Sequence, residues 1–200
     1  MFCRTLSSTL IILFSGLMAV YADPQLLSEW QWNDPAGLIH EYKLFGDKGQ
    51  SWEQANAQIS EAWHLATITS AEEQQILVNG LVGLTGEFWL GGFQSARQEG
   101  PENDWAWVTG ESWDYKTWAP GEPNDAWGSS SEQHIAVWSR WGTSNWLWND
   151  EGHLPNIDGY IAERTTSAVP EPGQLSLFAA GLLGITCMIR IKKQWESHRG

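Results

Sequence analysis

The spacing of polar and apolar positions along the chain predicts two helices. Ser51 is followed three residues later by Gln54, and Ser70 is followed three residues later by Glu73. Both pairs fit the S/T-x-x-E/Q capping box, in which two side chains satisfy backbone N–H groups at a helix start. The second helix is predicted to end at Asn79-Gly80, because glycine commonly ends helices. In the first helix, three small or apolar side chains recur at helical spacing: Ala55, Ile59 and Ala62.

Short strands are predicted where side chains alternate and aromatic or β-branched residues are frequent. These segments are 41–45, 88–92, 105–108, 135–139, 146–148 and 160–163. Between residues 113 and 145, Gly, Pro, Asn and Ser are dense enough to predict a long irregular region, which in a compact domain is usually functional or disordered. The fold class expected from this pattern is α+β, with two helices, short antiparallel sheets and a long irregular loop region.

The chain is strongly acidic, with a formal net charge of −13 over 200 residues. This charge argues against nucleic acid or anionic lipid as a partner, because both carry negative phosphate groups. It suits a bound cation such as calcium. On composition alone, the simpler interpretation is that the charge keeps the domain soluble.

The N-terminal 22 residues have the organisation of a secretory signal peptide. Arg4 precedes an apolar stretch, and Val20-Tyr21-Ala22 fits a small-residue cleavage site. We expect the mature chain to hold an N-terminal segment, residues 23–37, and one domain, residues 38–165. A retained membrane helix is the alternative, but the apolar stretch falls short of the roughly 20 residues that span a bilayer.

In residues 168–195, Val169-Pro170-Glu171-Pro172 precedes an apolar run and then a basic cluster that begins at Arg190. This arrangement resembles the PEP-CTERM sorting signal. The resemblance implies a bacterial protein that is anchored transiently in the membrane, cut by an exosortase, and left secreted or at the cell surface. The alternative is a permanent stop-transfer anchor whose basic flank lies in the cytoplasm.

Two short motifs, Glu122-Pro123-Asn124 and Trp148-Asn149-Asp150, carry the candidate chemistry. Their side-chain oxygens are hard ligands suited to Ca²⁺, which takes roughly 6 to 8 oxygens. An X-Pro bond adopts the cis form far more readily than other peptide bonds, so Pro123 would aim the carbonyl groups of Glu122 and Asn124 at one point. The two motifs together predict a calcium site.

A series of short motifs follows one another in a fixed order between His40 and Arg164. These landmarks are SWEQA from residue 51, HLATITSAEE at 64–73, WLGG at 89–92, WAW at 105–107, YKTWAPGEPN at 115–124, WND at 148–150 and GYIAE at 159–163. With them, this part of the chain resembles the C-type lectin-like domain. The order of these landmarks carries the resemblance, since each tripeptide alone is a weak signal. The resemblance implies a C-type lectin-like fold that binds carbohydrate through calcium.

The resemblance also implies a set of calcium ligands: Glu122, Asn124, Glu132, Asn149 and Asp150. Two vicinal sugar hydroxyls would complete the coordination of Ca²⁺, while Glu122 accepts and Asn124 donates hydrogen bonds to them. In the family, Glu-Pro-Asn goes with mannose-type sugars and Gln-Pro-Asp with galactose. Mannose-type sugars, or an exopolysaccharide containing them, are therefore the expected partners. The expected sugar-binding set is Glu122, Pro123, Asn124, Asn149 and Trp127, although Trp127 is at least as well suited to packing.

A single calcium ion is expected. Asp125 stands where the family places a ligand of an auxiliary calcium site. The upstream acidic position of that second site reads Phe93-Gln94 here. The resemblance therefore implies one calcium rather than two.

The chain departs from the family in its cysteines, since its only two, Cys3 and Cys187, lie in the end segments. The resemblance places the missing half-cystines near Ile59 or Ser60, His134 and Ala162. Losing a disulfide typically costs about 2 to 5 kcal/mol in a small secreted domain. The 15 tryptophans are the obvious compensation, because each buries a large apolar area.

No catalytic arrangement is evident from the sequence. His40 and His153 have no nucleophile or carboxylate at convincing spacing. The resemblance places His64 in the core and His134 at a former cysteine position, so we expect no enzymatic activity. A competing interpretation is a calcium-independent module of the same fold that recognises protein. A third is a matrix component with a mainly structural role, which is compatible with carbohydrate binding.

Overall fold

The computed structural model describes residues 23–95, 100–126, 128, 131–139 and 145–167. The expected signal peptide, the C-terminal sorting signal and Trp127 lie outside these residues. Neither helix of the described part has the length and apolar composition needed to cross a membrane. In chain order the elements are β1 Gln25–Asn33, β2 Leu38–Gly46, α1 Trp52–Gln58, β3 His64–Leu65, α2 Ala71–Gly80, β4 Gly86–Gln94, β5 Trp105–Trp107, β6 His134–Ser139, β7 Leu147–Glu151, a 3₁₀ helix Leu154–Asn156, and β8 Gly159–Ser167.

Helix α1 begins with the capping box that the sequence predicts. The Ser51 hydroxyl accepts from the backbone N–H of Gln54, and the Gln54 side chain accepts from the backbone N–H of Ser51. The helix is shorter than the apolar spacing suggests, because Ile59 is already extended. A backbone bond from the N–H of Trp63 to the carbonyl of Ser60 then makes a tight turn. The prediction that Ala62 continues the helix is therefore wrong.

Helix α2 begins at its predicted serine cap but completes only half of the capping box. The Ser70 hydroxyl accepts from the N–H of Glu73 at 3.1 Å. The Glu73 carboxylate does not return to Ser70: it accepts from the N–H of Thr69 at 2.7 Å and from the Tyr42 hydroxyl at 2.7 Å. This helix start is thus tied to β2 as well as capped. The helix ends at Gly80, as Asn79-Gly80 predicts.

The eight strands of the described part form one mixed sheet in the order β1-β2-β8-β4-β6-β7, with β3 beside β8 and β5 beside β4. Strands β4 and β8 run parallel, and the other pairs are antiparallel. The α+β class with two helices is confirmed. The strands join in a single sheet, rather than in several short antiparallel ones, because the last strand inserts between β2 and β4.

Strand β1 lies in the segment 23–37 and was not predicted. Its burial alternates through Trp30 and Trp32, which are partly buried against the main core. That alternation is visible in the sequence, but exposed residues at the start of the strand weaken the signal. Strand β7 also begins and ends later than the predicted segment 146–148.

Trp148 is the centre of the larger of two apolar clusters, and it is fully buried. Its ring meets Trp107 and Trp118 edge-on, with centroids 5.4 and 5.7 Å apart. Its indole N–H donates to the Gln74 side chain at 3.1 Å. Such aromatic pairs contribute about 0.5 to 1.5 kcal/mol each beyond the area they bury, so this network supplies part of the stability that disulfides would give.

Packing side chains occupy the expected half-cystine positions. Ile59 and Ala162 both belong to the second apolar cluster. The ring of His134 stacks on that of Trp52, with centroids 4.5 Å apart. Apolar and aromatic contacts thus hold the places where the family resemblance expects covalent bridges.

Candidate functional site

The irregular segment that carries Glu122 is fixed against β7, which carries Asp150. Trp148 donates its backbone N–H to the carbonyl of Thr117 at 3.0 Å, and its own carbonyl accepts from the N–H of Ala119 at 2.8 Å. These bonds form a parallel bridge between Trp118 and Trp148, whose rings also pack together. The two sequence motifs therefore meet because a tryptophan pair joins their flanks.

Asp150 organises the loop from within. Its side chain is fully buried, and its Oδ1 accepts from the backbone N–H of Asn124 at 2.9 Å. Its Oδ2 accepts from the backbone N–H of Asp125 at 2.8 Å. The Asn124 amide nitrogen in turn donates to the Glu122 carboxylate. The Glu122–Pro123 peptide bond is cis, as the sequence analysis anticipates.

Glu132 closes the other side of the loop. It is 4% exposed, and its carboxylate accepts from the backbone N–H of Ala126. Asp125 has a φ of 47°, and its Oδ1 accepts from the N–H groups of Ser131 at 2.8 Å and of Glu132 at 3.1 Å. From the family resemblance, Asp125 is expected only at the position of a ligand for a second calcium. Its place in a turn is consistent with the tendency of Asp to bond the nearby backbone and to tolerate positive φ.

Burial raises the pKa of three carboxylates in this loop, those of Glu122, Glu132 and Asp150. Burial, and then the hydrogen bond to Asp150 and its charge, raise the pKa of Glu122 to about 7. Burial and the charge of Asp150 likewise raise the pKa of Glu132 to about 7. Burial also raises the pKa of Asp150, against the lowering effect of its backbone hydrogen bonds. The site thus concentrates negative charge that a cation would stabilise.

Asn149 lies on the other face of β7. Successive side chains of a strand point to opposite faces, and Asp150 points toward the loop. The Asn149 amide nitrogen donates to Glu87 at 3.0 Å and reaches Glu151 at 3.5 Å. Glu151, which belongs to neither sequence motif, also accepts from the backbone N–H of Gly152 at 2.8 Å.

The structure therefore brings together four of the predicted ligands and separates the fifth from them. Glu122, Asn124, Glu132 and Asp150 surround one loop, and Pro123 is half-buried within it. Their role as calcium ligands stays a prediction. Three carboxylates and one amide at a partly open loop have the oxygen chemistry that Ca²⁺ prefers.

Comparison with known proteins identifies relatives along much of this region, although no protein-family model matches the chain. Ladderlectin from Oncorhynchus mykiss is 32% identical over 111 residues, covering 54% of this chain. The chain spans 54% of ladderlectin itself. The herring type II antifreeze protein shares the fold, with a TM-score of 0.50 at 21% identity over 68% of this chain and 97% of that one.

This chain matches a larger share of a third relative. The C-type lectin lectoxin-Lio1 from Erythrolamprus poecilogyrus is 30% identical over 127 residues, which make up 61% of this chain and 72% of lectoxin-Lio1. Ladderlectin and lectoxin-Lio1 both carry the name of lectins. The chain belongs to the C-type lectin family.

Proposed function

We propose that the chain is a calcium-dependent, carbohydrate-binding module with mannose-type specificity and no enzymatic activity. The observation that carries the proposal is the convergence of Glu122, Asn124, Glu132 and Asp150 on one loop. The raised pKa values of its carboxylates support cation binding, because a divalent ion would replace mutual repulsion with attraction.

The four side chains differ in exposure, and their expected roles differ accordingly. Asp150 and Glu132 are buried and hold the loop backbone, whereas Glu122 is half-buried and Asn124 is exposed. When bound, Ca²⁺ would supply open coordination positions to two vicinal sugar hydroxyls. Glu122 would accept and Asn124 would donate a hydrogen bond to the same hydroxyls. One acceptor and one donor side by side favour sugars whose two vicinal hydroxyls have the matching orientation. In this family, Glu-Pro-Asn goes with mannose-type sugars.

A competition experiment tests the specificity. The protein would be bound to mannose-coated beads in the presence of calcium and eluted with free mannose or free galactose. We expect mannose to elute it at lower concentration, and a Glu122→Gln/Asn124→Asp variant to reverse that order. Better elution of the wild type by galactose would refute the mannose assignment.

The position of Asn149 favours a second candidate, a calcium-independent module that recognises protein or serves as a structural matrix component. Its side chain bonds Glu87 and Glu151, so this fifth ligand is not directed at the loop. A site with four ligands has weaker affinity for Ca²⁺, since affinity depends on the number and charge of the ligands. Binding of a matrix preparation that persists in excess chelator would support this candidate over the lectin.

We further propose that residues 1–22 direct secretion, that 38–165 form the lectin domain, and that 168–195 act as a PEP-CTERM sorting signal cut by an exosortase. This proposal rests on the sequence motifs described above. Mass spectrometry of the protein isolated from its native cells would show a mature N-terminus at Asp23 and a C-terminus near Pro170. An intact chain that stays in the membrane fraction would instead support a permanent anchor.

A further inference from the structure

A second group of metal-ligating side chains lies away from the loop, where β2, β8 and α2 meet. It consists of His40, Glu73 and Glu163, each with one ligand atom within 4.8 Å of the others. The Nδ1 of His40 is 2.8 Å from Glu163 Oε1 and 3.9 Å from Glu73 Oε1. The sheet register brings these residues together, although His40 and Glu163 are 123 positions apart in sequence.

With both carboxylates ionised, as metal ligands must be, the charges of this cluster do not balance within the described residues. The side chains of Glu73 and Glu163 are 3% and 2% exposed, so both carboxylates are buried. His40 can supply one positive charge at most. The neighbouring Arg164 donates instead to Glu41, at 2.8 Å. Buried charges in proteins are usually paired or coordinate a metal, and one imidazole is too little for two buried carboxylates.

Other acidic groups around the cluster deepen the imbalance. Asp34 Oδ2 lies 3.6 Å from the Nε2 of His40. Glu111 accepts from the Thr67 hydroxyl at 2.6 Å, and the same hydroxyl is 3.3 Å from Glu163. The region therefore attracts a cation of higher charge than a protonated histidine.

We propose that His40 Nδ1, Glu73 and Glu163 bind a borderline divalent transition-metal ion of the Zn²⁺ class. Bond lengths of about 2.0 to 2.1 Å in a tetrahedron place ligand atoms about 3.3 Å apart. The separations of 2.8 and 3.9 Å from His40 Nδ1 lie on either side of that value. All three ligand atoms lie within 4.8 Å of one another, so side-chain movements of up to about 1.5 Å would bring them to tetrahedral separation. The Thr67 hydroxyl or water would fill the fourth position.

The surroundings of His40 support a metal on Nδ1. Its Nε2 is buried and has no hydrogen-bond partner. The carboxylate of Asp34 lies 3.6 Å from this Nε2, slightly beyond hydrogen-bond reach. Coordination through Nδ1 fixes the proton on Nε2, where it can be donated to Asp34. Metal-bound histidines almost always donate a hydrogen bond from their other ring N–H to such a group. Glu73 is likewise oriented by the Tyr42 hydroxyl at 2.7 Å, and Glu163 by the N–H of Thr67 at 3.0 Å.

The donor set distinguishes this cluster from the loop. Ca²⁺ takes roughly 6 to 8 oxygens, whereas an imidazole with two carboxylates is typical of Zn²⁺ and related ions. A metal here would join two strands and a helix start in a domain whose described part has no cysteine. It would therefore serve as a structural cross-link, independent of the proposed sugar site.

The test is a titration of Zn²⁺ into the full chain, purified in mild detergent without a histidine tag. Cys3→Ser and Cys187→Ser would form the background, because thiols bind zinc themselves. We expect saturable binding at a stoichiometry of one, and a rise in Tm of about 5 °C or more at a hundredfold excess over Kd. Co²⁺ in place of Zn²⁺ should give the visible absorption of a four-coordinate site.

Three variants assign the binding to this cluster. His40→Gln and Glu163→Gln should abolish the Tm rise and the Co²⁺ absorption, and Asp34→Asn should weaken binding about tenfold. His153→Gln, which changes an exposed histidine in the segment after β7, should bind as the parent does. The proposal is overturned if Zn²⁺ does not bind, if His40→Gln binds Zn²⁺ unchanged, or if Ca²⁺ displaces Co²⁺ from the site.

Discussion

Replacing Glu132 by glutamine should stabilise the calcium-free protein and weaken calcium binding. The side chain is 4% exposed and faces the charges of Asp150, Glu151 and Asp125. Its pKa is raised to about 7, so ionisation at pH 8 opposes folding. Glutamine keeps the shape and can still accept the hydrogen bond from Ala126, but it carries no charge.

The size and sign of the effect follow from linkage. A carboxyl group whose pKa is higher in the folded state contributes stability below its unfolded pKa and loses it as pH rises through the folded value. The shift to about 7 corresponds to about 3 kcal/mol undiscounted, and to about 1 kcal/mol after allowance for solvent screening. Glu132→Gln should thus gain about 1 kcal/mol at pH 8 and almost nothing at pH 4, where the wild-type group is protonated in both states.

Urea unfolding at pH 4 and pH 8 measures the stability, and calorimetry at pH 8 measures calcium affinity, which should fall about 10- to 100-fold. Glu61→Gln is the control, because Glu61 is an exposed carboxylate on a distant turn. Its stability and calcium affinity should match those of the wild type. If Glu132→Gln binds calcium like the wild type, or destabilises the protein equally at both pH values, the reasoning about this loop is wrong.

Three further predictions concern the same region. Calcium affinity should rise about 10- to 100-fold from pH 6 to pH 8, because Ca²⁺ must displace protons from Glu122 and Glu132; calorimetry across this range would detect it, and a flat profile would contradict it. Asn149→Ala should change calcium affinity less than Asp150→Asn, because the Asn149 side chain hydrogen-bonds Glu87 on the opposite face of β7, whereas Asp150 holds the loop. Calcium titration of the two variants side by side decides the order. Trp148→Ala should cost about 3 to 5 kcal/mol of unfolding free energy, measured in urea, because it leaves a cavity in the core; a loss below 1 kcal/mol would show that the tryptophan network does not anchor the loop.

Local signals in the sequence predicted much of the fold. Ser51 and Ser70 mark the helix starts because capping depends on residues only three positions apart. The ends were harder to predict: Ala62 fits the helical spacing, yet the chain turns away after Gln58. Strand β1 was not predicted because it is stabilised by pairing with β2, and the sequence of residues 23–37 alone does not indicate that pairing.

The candidate site was also predicted only in part, because some of its features depend on strand pairing. Motif matching found Glu122, Asn124, Glu132 and Asp150, since all four lie close to recognisable landmarks. The motif could not show that the side chains of Asn149 and Asp150 lie on opposite faces of β7, because the face depends on where the strand begins and how it pairs. The cluster around His40 was missed entirely, since its members come from three elements distant in sequence.

We propose that the loop around Asp150 binds calcium and, through it, a mannose-type sugar. The decisive measurement is a calorimetric titration of the wild-type protein with Ca²⁺ at pH 8, followed by mannose. We predict one calcium per chain, and mannose binding that appears only when calcium is present. Absence of calcium binding at millimolar concentration, or mannose binding that is unchanged by excess chelator, would contradict it.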